Sequence, residues 1–441
     1  GTTLWGDNAF GVRFFSPVLA AITSFIVLRF FAREVNGRAA FFLLLAITAM
    51  PLMSAGSILM TIDPLNVLFW TAAMIVGWYA IQEHGTTRQW VWVGVWMGFS
   101  FLSKYTALFQ LLCWVVVFAV WKPARRHLRK PGPYLALLIN IVFMVPVLVW
   151  NAQHGWITVT HVANDAHAGE HWHFTLKYFF EFMTDEFFLL NPVFFVAMIW
   201  AAIAFWYRNS RRPLPLYCFC MGAPLFLSYL LFTFHSRVLP NWIAPSVVPL
   251  FCFTIAFWDE RFRQGIRAVK PWLITGLVIG FTAAFLFHDT DLIGRVIGRP
   301  LPAKIDPLRR VRRWREVALI VGQARQKLLA EGKPVFIICG HYGITGLISF
   351  YLPEAREHVK NDPFVYYRTT NKPENQFYFW PSYENREGQN AIYVRLIDKD
   401  ESPPVILQKQ FTKITDLGLR QIKYGDRVYH TIQLFDCYRL R

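Results

Sequence analysis

Long apolar runs recur through the first 288 residues of this chain and constrain its fold more than any other feature. A helix that crosses about 30 Å of hydrocarbon needs roughly 17–25 mostly apolar residues. Ten runs are predicted to cross the membrane. The run 90–103 is short, and it is either tilted or forms a broken pair with the next run. The ten runs are residues 14–32, 39–60, 65–81, 90–103, 105–121, 134–150, 187–207, 214–234, 238–257 and 271–287. Charged residues make up only 17% of the chain, below the roughly 25% of soluble domains. The pattern therefore excludes a disordered or coiled-coil protein and predicts a polytopic α-helical membrane protein.

The loops between these runs differ in their content of Lys and Arg, and cytoplasmic loops carry the excess. One set of loops holds sixteen such residues: Arg29, Arg33, Arg38, Arg88, Lys122, Arg125, Arg126, Arg129, Lys130, Arg208, Arg211, Arg212, Arg261, Arg263, Arg267 and Lys270. The alternate set holds Arg13, Lys104, Lys177 and Arg237. The first set is predicted to be cytoplasmic, which places residue 1 and the C-terminal tail on the outer side. The net charge of +17 is then partly a topology signal and partly a basic outer surface, and we expect no nucleic-acid partner.

The hydrophobic pattern ends near His288, and two domains are predicted: a transmembrane domain at 1–288 and an outer-side α/β domain at 289–441. In the second domain a helix is predicted at 314–331, ended by Gly332 and Pro334, and strands are predicted at 335–339, 391–397 and 428–437. A basic run, Arg309 to Arg315, precedes the helix. Its arginines either snorkel to lipid phosphate or contact an anionic lipid substrate.

Cysteines are few. Cys113, Cys218, Cys220 and Cys252 lie in predicted spans and are expected to pack there. Cys339 and Cys437 lie in the outer domain, where oxidation to a disulfide is one of two open outcomes.

Three charged residues stand at outer ends of the predicted spans. Asp63 begins an Asp-Pro pair, which is typical of a helix start, but an acid at a membrane edge is also a candidate functional residue. Lys104 either snorkels or holds a phosphate in a cavity. Arg237 is either a loop anchor or a phosphate ligand, for which its planar guanidinium is suited.

Histidines cluster in the loop 151–186, where His154, His161 and His167 are candidate ligands for a divalent metal ion. No HExxH motif or pair of CxxC motifs accompanies them, so solvated loop histidines are the alternative. Residues 174–188 mix aromatic and acidic side chains and predict an interfacial helix on the outer leaflet.

Five stretches resemble a known family. They are Gly6–Arg13, Asp63-Pro64, Ser103–Thr106, Pro240–Pro245 and Asn375–Trp380. The order of these stretches and the predicted side of the membrane on which each lies resemble those of the GT-C superfamily of polyprenyl-phosphate-sugar glycosyltransferases. The branch that they resemble is that of the bacterial relatives of dolichyl-phosphate-mannose protein mannosyltransferases and aminoarabinose transferase. The resemblance covers nearly the whole chain.

The resemblance implies an outward-facing cavity, a lipid-linked sugar donor that enters from the membrane, and an acceptor from the outer compartment. In such an enzyme Asp63 is the catalytic candidate, expected to orient the acceptor or a metal ion, and Lys104 and Arg237 are expected to hold the lipid phosphate. Tyr105, Asn241 and Trp242 are further candidates for substrate binding. The resemblance also implies an eleventh span and a catalytic acid before residue 1, because the family's acid follows its first span. Asp7 matches a later part of that loop.

The predicted function is a glycosyltransferase of the bacterial inner membrane, with its C-terminal domain in the periplasm. The expected partners are a polyprenyl-phosphate sugar, membrane lipids, and a lipid, glycan or protein acceptor. A divalent metal ion is a candidate cofactor. The main alternative is a non-catalytic protein that binds or transports a lipid-linked glycan; a channel is disfavoured because no span carries a regular row of polar residues.

Overall fold

The computed structural model divides the chain into two compact units, Gly1–His288 and Asp289–Arg441. It describes residues 1–165, 173–207, 212–299, 301–303, 305–306, 308–370, 373, 375–397 and 399–441. The first unit is helical and the second combines helices with one sheet. The predicted fold class, a helical membrane protein with a C-terminal α/β part, is confirmed.

Helices account for the secondary structure of the first unit within the described residues. They are α1 (Thr2–Trp5), α2 (Ala9–Arg13), α3 (Phe15–Glu34), α4 (Gly37–Thr48), α5 (Pro51–Gly56), α6 (Asp63–Ala80), α7 (Thr87–Ser103), α8 (Phe109–Val120), α9 (Gly132–Gln153), α10 (Ile157–Asp165), α11 (Lys177–Leu189), α12 (Pro192–Tyr207), α13 (Pro213–Phe232), α14 (Ala244–Arg263) and α15 (Val269–His288). Short 3₁₀ helices cover Tyr105–Leu108, Lys122–Arg129 and Pro240–Ile243.

Several of these helices are long and apolar enough to cross a membrane. In the described ranges there are five: Ala9–Glu34, Gly132–Gln153, Pro213–Phe232, Pro240–Arg263 and Val269–His288. Two sharply bent pairs raise the number to seven if each is one span, namely Tyr105–Val120 with Lys122–Arg129 and Lys177–Leu189 with Pro192–Tyr207. Other predicted runs form shorter helices, such as α4 with 12 residues and α7 with 17. The count of ten spans therefore stays a prediction.

Prolines explain two breaks in runs that the sequence predicts as continuous. Met50 is extended and Pro51 begins α5, because the residue before a proline is disfavoured in the helical region. The run 39–60 is therefore two helices, α4 and α5. Asn191 has a φ of 72° and Pro192 begins α12, which meets α11 at 111°. The helix predicted at 174–188 is α11.

Helices α7 and α9 approach each other at a pair of glycines one helical turn apart. A Cβ at Gly94 would lie 2.5 Å from the carbonyl oxygen of Ala136, and a Cβ at Gly98 would lie 2.3 Å from the ring of Phe143. Small residues spaced in this way allow helix backbones to pack closely in a membrane. This contact places the C-terminal end of α7, which precedes Lys104.

The second unit is built on a five-stranded sheet of order β2-β1-β3-β5-β4, formed by β1 (Val335–Cys339), β2 (Val365–Tyr367), β3 (Asn390–Leu396), β4 (Phe411–Tyr424) and β5 (Arg427–Leu440). Strand β1 is parallel to β2 and β3, and β5 is antiparallel to β3 and β4. All five residues of β1 are buried, as expected for a strand covered on both faces. Its helices are α16 (Asp291–Ile297), α17 (Trp314–Leu329), α18 (Tyr342–Tyr351), α19 (Pro353–His358) and α20 (Val405–Gln410). The predicted helix and three strands match α17, β1, β3 and β5 within a few residues.

The possible disulfide between Cys339 and Cys437 does not form, and all six cysteines are free and buried. Strand β3 separates the two residues, since Cys339 is opposite Val394 and Cys437 is opposite Ala391. Burial raises the pKa of the Cys339 thiol to about 12, which leaves it protonated and poorly nucleophilic.

Candidate functional site

The Asp63 carboxylate receives hydrogen bonds from two distant parts of the chain. Lys104 Nζ lies 2.7 Å from its Oδ1, and Asn241 Nδ2 lies 2.9 Å from its Oδ2. The Asp63 and Lys104 side chains are 14% and 12% exposed, so their charge-assisted contact is shielded from water and stronger than a surface ion pair. We call Asp63, Lys104 and Asn241, which lie at the predicted outer ends of their helices, the outer triad.

Each member of the outer triad lies where a helix begins or ends. Asp63 is the first residue of α6, before Pro64, but its side chain does not cap that helix; it accepts hydrogen bonds across the fold instead. Lys104 follows α7 in an extended backbone conformation and is the residue at which that helix ends. Asn241 belongs to the 3₁₀ helix before α14, where Pro240 occupies the first turn. Three helix termini thus meet at one carboxylate.

A second layer of polar side chains beneath the triad joins α6 to α7 and to the following 3₁₀ helix. Ser100 Oγ donates to Asn66 Oδ1 at 2.7 Å, and Asn66 Nδ2 donates to Thr106 Oγ1 at 3.3 Å. Asn66 and Ser100 are fully buried. Sequence reasoning missed this layer, although a polar Asn one turn after Asp63 in an apolar helix was a usable signal. The layer sets the spacing between the helices that carry Asp63 and Lys104.

Aromatic residues predicted to bind substrate lie beside the triad members in the chain. Tyr105 follows Lys104, is 39% exposed, and its ring contacts Phe101 at a centroid distance of 5.2 Å. Trp242 follows Asn241 and contacts Tyr229 at 5.4 Å. Such rings offer apolar faces to prenyl chains or sugars, and equally serve ordinary helix packing.

Arg237 is not part of the triad. Its Nε lies 3.7 Å from Glu181 Oε2 on α11, and its side chain is 64% exposed. Glu181 also lies 4.0 Å from Lys177 Nζ. Arg237 is therefore held loosely, by a long ion pair that solvent screens, and its guanidinium is accessible to an anion.

Glu186 is a buried acid on α11, the helix that packs against the 3₁₀ segment holding Asn241. Its side chain has no exposed surface, and neither carboxyl oxygen has a hydrogen-bond partner among the described residues. An ionised carboxylate is costly in such surroundings. The burial distinguishes Glu186 from Glu181 and Asp185 on the same helix, which are only partly buried, and sequence alone could not make this distinction.

The predicted histidine ligands are only partly covered by the structure. His154 Nδ1 lies 2.8 Å from the Trp150 carbonyl oxygen, and the two rings stack at 4.2 Å. His161 is on α10, whereas His167 lies outside the described residues. Across the described ranges no group of three or more His, Cys, Asp or Glu side chains could hold a metal ion. The metal site stays a prediction.

Comparison with known proteins adds independent evidence. The family model "Dolichyl-phosphate-mannose-protein mannosyltransferase" matches residues 1–150, the part that contains Asp63 and Lys104. The lipid A galacturonosyltransferase RgtD of Rhizobium johnstonii is 26% identical over 215 residues. That alignment covers 48% of this chain and 43% of RgtD, so the chain matches less than half the length of this relative.

Solved structures share the overall fold. Crystal structures of ArnT from Cupriavidus metallidurans, in the apo state and bound to undecaprenyl phosphate, match with a TM-score of 0.59 at 15% identity. Each match covers 98% of this chain and 85% of the ArnT chain. At that identity the likeness establishes the fold. The family model, the relative and the shared fold thus all agree with the resemblance of this chain to polyprenyl-phosphate-sugar glycosyltransferases of the GT-C superfamily.

Proposed function

We propose that this protein is a multi-pass glycosyltransferase of the bacterial inner membrane, which moves a sugar from a polyprenyl-phosphate donor to an acceptor on the outer side. The observation that carries the proposal is the outer triad, in which Asp63 holds the Lys104 ammonium in place at the predicted outer ends of apolar helices. Its family relatives support it: RgtD is named for galacturonosyl transfer to lipid A, and ArnT has been crystallised with undecaprenyl phosphate.

The chemistry requires a group that stabilises the departing phosphate. As the bond between the anomeric carbon and the phosphate oxygen breaks, its electron pair passes to the phosphate, and an ammonium beside that oxygen stabilises the charge. Lys104 supplies the cation, and Arg237 supplies a second, more mobile one. The acceptor hydroxyl attacks the anomeric carbon and loses its proton to a base or to water.

Asp63 has both carboxylate oxygens occupied by donors. A carboxylate in that state is a weak base, and its contacts favour a positioning role, in which it fixes the Lys104 ammonium and the Asn241 amide. The acceptor class that fits the family relatives is a lipid or glycan of the cell envelope, with protein as the alternative. The C-terminal unit is proposed to be periplasmic.

The test is transfer by purified protein in proteoliposomes that contain radiolabelled undecaprenyl-phosphate sugars, drawn from the lipid-linked pool that accumulates when the gene is deleted. The expected result is release of undecaprenyl phosphate together with a labelled acceptor. Lys104→Gln is expected to lower the rate about 100-fold or more, comparable to losing one oxyanion donor. Lys122→Gln, an exposed cation of a predicted cytoplasmic loop, is the matched control.

Two outcomes would contradict the proposal. Donor binding without any transfer by the wild-type protein would favour a binding or transport protein instead. Equal transfer rates for Lys104→Gln and wild type would show that the protein is a glycosyltransferase whose active site does not include the triad.

A further inference from the structure

Apolar and basic side chains are exposed together at the start of the second unit, on α16 and the loop after it. Val296 is 85% exposed, Ile297 is 58% exposed and Ile305 is 66% exposed. Helix α16 ends at Gly298, which has a left-handed φ of 75°. We call Arg295, Val296, Ile297, Arg299, Ile305 and Arg310 the juxtamembrane face. Branched apolar side chains exposed to this degree and clustered in the chain are typical of an interaction surface.

The arginines of this region separate into two groups. The first group is engaged inside the unit: Arg312 reaches Asp291 and Asp306 at 3.3 Å each, and Arg313 pairs with Glu316 at 2.7 Å. Arg309 donates to the Tyr429 carbonyl oxygen at 2.9 Å. The basic run predicted from the sequence is therefore not a single lipid-binding stretch, because three of its members stabilise the unit itself.

The three arginines of the juxtamembrane face differ from this engaged group. Arg295, Arg299 and Arg310 are exposed, and within the described part of the chain no acidic side chain pairs with them. Arg295 and Arg299 line a cavity of about 390 Å³ together with Asp291, Tyr424 and Arg427, and the Arg427 guanidinium lies 3.6 Å from the Asp291 carboxylate. The Arg427 guanidinium lies 5.8 Å from the Tyr424 ring centre. Asp291 offsets the charge of Arg427, so the cavity offers the two unpaired guanidinium groups of Arg295 and Arg299, and such groups recognise a phosphate.

We propose that the juxtamembrane face docks onto the outer leaflet of the membrane, with its apolar side chains at the acyl boundary and its free arginines on the phosphates of anionic lipids. Only Asp289 and Thr290 separate α15, which is apolar enough to span the membrane, from α16. The chain itself therefore holds this face near a membrane surface. A mixture of branched apolar residues and Arg is what an interfacial segment needs.

A second copy of the chain is the other candidate occupant, and the charges disfavour it. In a symmetric contact the same face would meet itself, so the unpaired arginines of the two copies would oppose each other at a cost. An anionic lipid surface removes that cost instead.

The experiment uses the full-length protein in nanodiscs that hold one copy each, with a polarity-sensitive fluorophore on Val296→Cys. The six native cysteines are buried, so they do not compete for the label. The matched control is Val405→Cys, because Val405 is also an exposed valine (66%) but lies on α20. Brominated phosphatidylglycerol is expected to quench the Val296 label by about half or more, as for a group 5–10 Å inside the headgroup boundary, and to leave the Val405 label unchanged.

Charge is tested separately. With the label at Val296, Arg295→Gln combined with Arg299→Gln is expected to reduce quenching in discs that contain phosphatidylglycerol, and Lys333→Gln combined with Lys409→Gln is expected to leave it unchanged. Equal quenching at Val296 and Val405, or none at Val296, would overturn the proposal. A Val296 signal that ignores lipid bromination but changes when two copies share one disc would also overturn it, in favour of self-association.

Discussion

A carboxylate at the first position of a helix has two ordinary uses: it caps the helix, or it faces outward to bind another group. At Asp63 the sequence permits both, and the hydrogen bonds decide between them. Its oxygens accept from Lys104 and Asn241 rather than from the amides of α6. The predicted catalytic role of Asp63 stays untested, and its contacts favour positioning.

A double-mutant cycle tests this role. If Asp63 acts through Lys104, Asp63→Asn and Lys104→Gln remove the same function, so the double variant is expected to be no slower than Lys104→Gln alone. The kcat and KM of sugar transfer are measured for all four proteins. Asp63→Asn is expected to lower kcat about 10- to 100-fold, while Asp63→Glu restores part of it. Multiplicative losses in the double variant would mean that Asp63 acts independently.

His430 provides a prediction about pH in the second unit. Burial lowers the pKa of its ring from the ordinary 6.5, and Arg309 adds to this, against the hydrogen bond to the Arg312 carbonyl oxygen and the charge of Glu316. The folded state therefore binds the proton less readily than the unfolded state. Its stability contribution is complete above pH 6.5 and declines as the pH falls below that value.

The measurement is hydrogen exchange of strand β5 in the full-length protein, corrected for the intrinsic pH dependence of exchange. Protection is expected to stay constant between pH 8 and pH 6.5 and to fall from pH 6.5 to pH 5.5, and to fall less in His430→Gln. The exposed His358 supplies the control variant His358→Gln. An unchanged slope in His430→Gln would refute the assignment.

At the level of elements, the site depends on how closely helices approach. Gly94 and Gly98 allow α7 to contact α9, and the second polar layer ties α7 to α6. The end of α7 carries Lys104, so a change in the α7–α9 contact is expected to move the ammonium relative to Asp63.

Gly98→Ala tests this coupling. The new methyl group would lie 2.3 Å from the Phe143 ring, and overpacking of this kind costs about 1–3 kcal/mol. We expect a lower thermal midpoint and reduced transfer. The control is Gly346→Ala on α18, where a Cβ meets nothing within 4 Å; that variant is expected to be neutral or slightly stabilising. A wild-type thermal midpoint for Gly98→Ala would show that α7 and α9 are not held by this contact.

At the level of the whole molecule, the side of the membrane on which each loop lies can be tested directly. The excess of cations in alternate loops predicts that the triad and the second unit are both on the outer side. All six native cysteines are buried and free, so a cysteine introduced at the surface can be labelled without competition from them.

Single-cysteine labelling in intact spheroplasts tests the topology. A membrane-impermeant thiol reagent is expected to modify Asn385→Cys without lysis, because Asn385 is exposed in the 3₁₀ helix Glu384–Arg386 before β3. Lys130→Cys, in a predicted cytoplasmic loop, is expected to react only after lysis. The reverse pattern would invert the orientation and exclude an outer acceptor site.

The sequence by itself determined the division into an apolar helical part and a mixed α/β part, the sidedness prediction and the family resemblance. Hydropathy and loop charge are local properties, so they can be read without knowing contacts. Strand β4 was missed because only two of its 14 residues are buried and the strand carries no alternating pattern.

Tertiary structure alone decided which polar residues meet. Asp63 is 41 residues from Lys104 and 178 from Asn241, and nothing local to any of them specifies the pairing. The same holds for the arginines after α15, which have equal charge in the sequence but different neighbours in the fold. Contacts of this kind come from the packing of whole helices and strands, because a long-range hydrogen bond forms only when two elements are already placed.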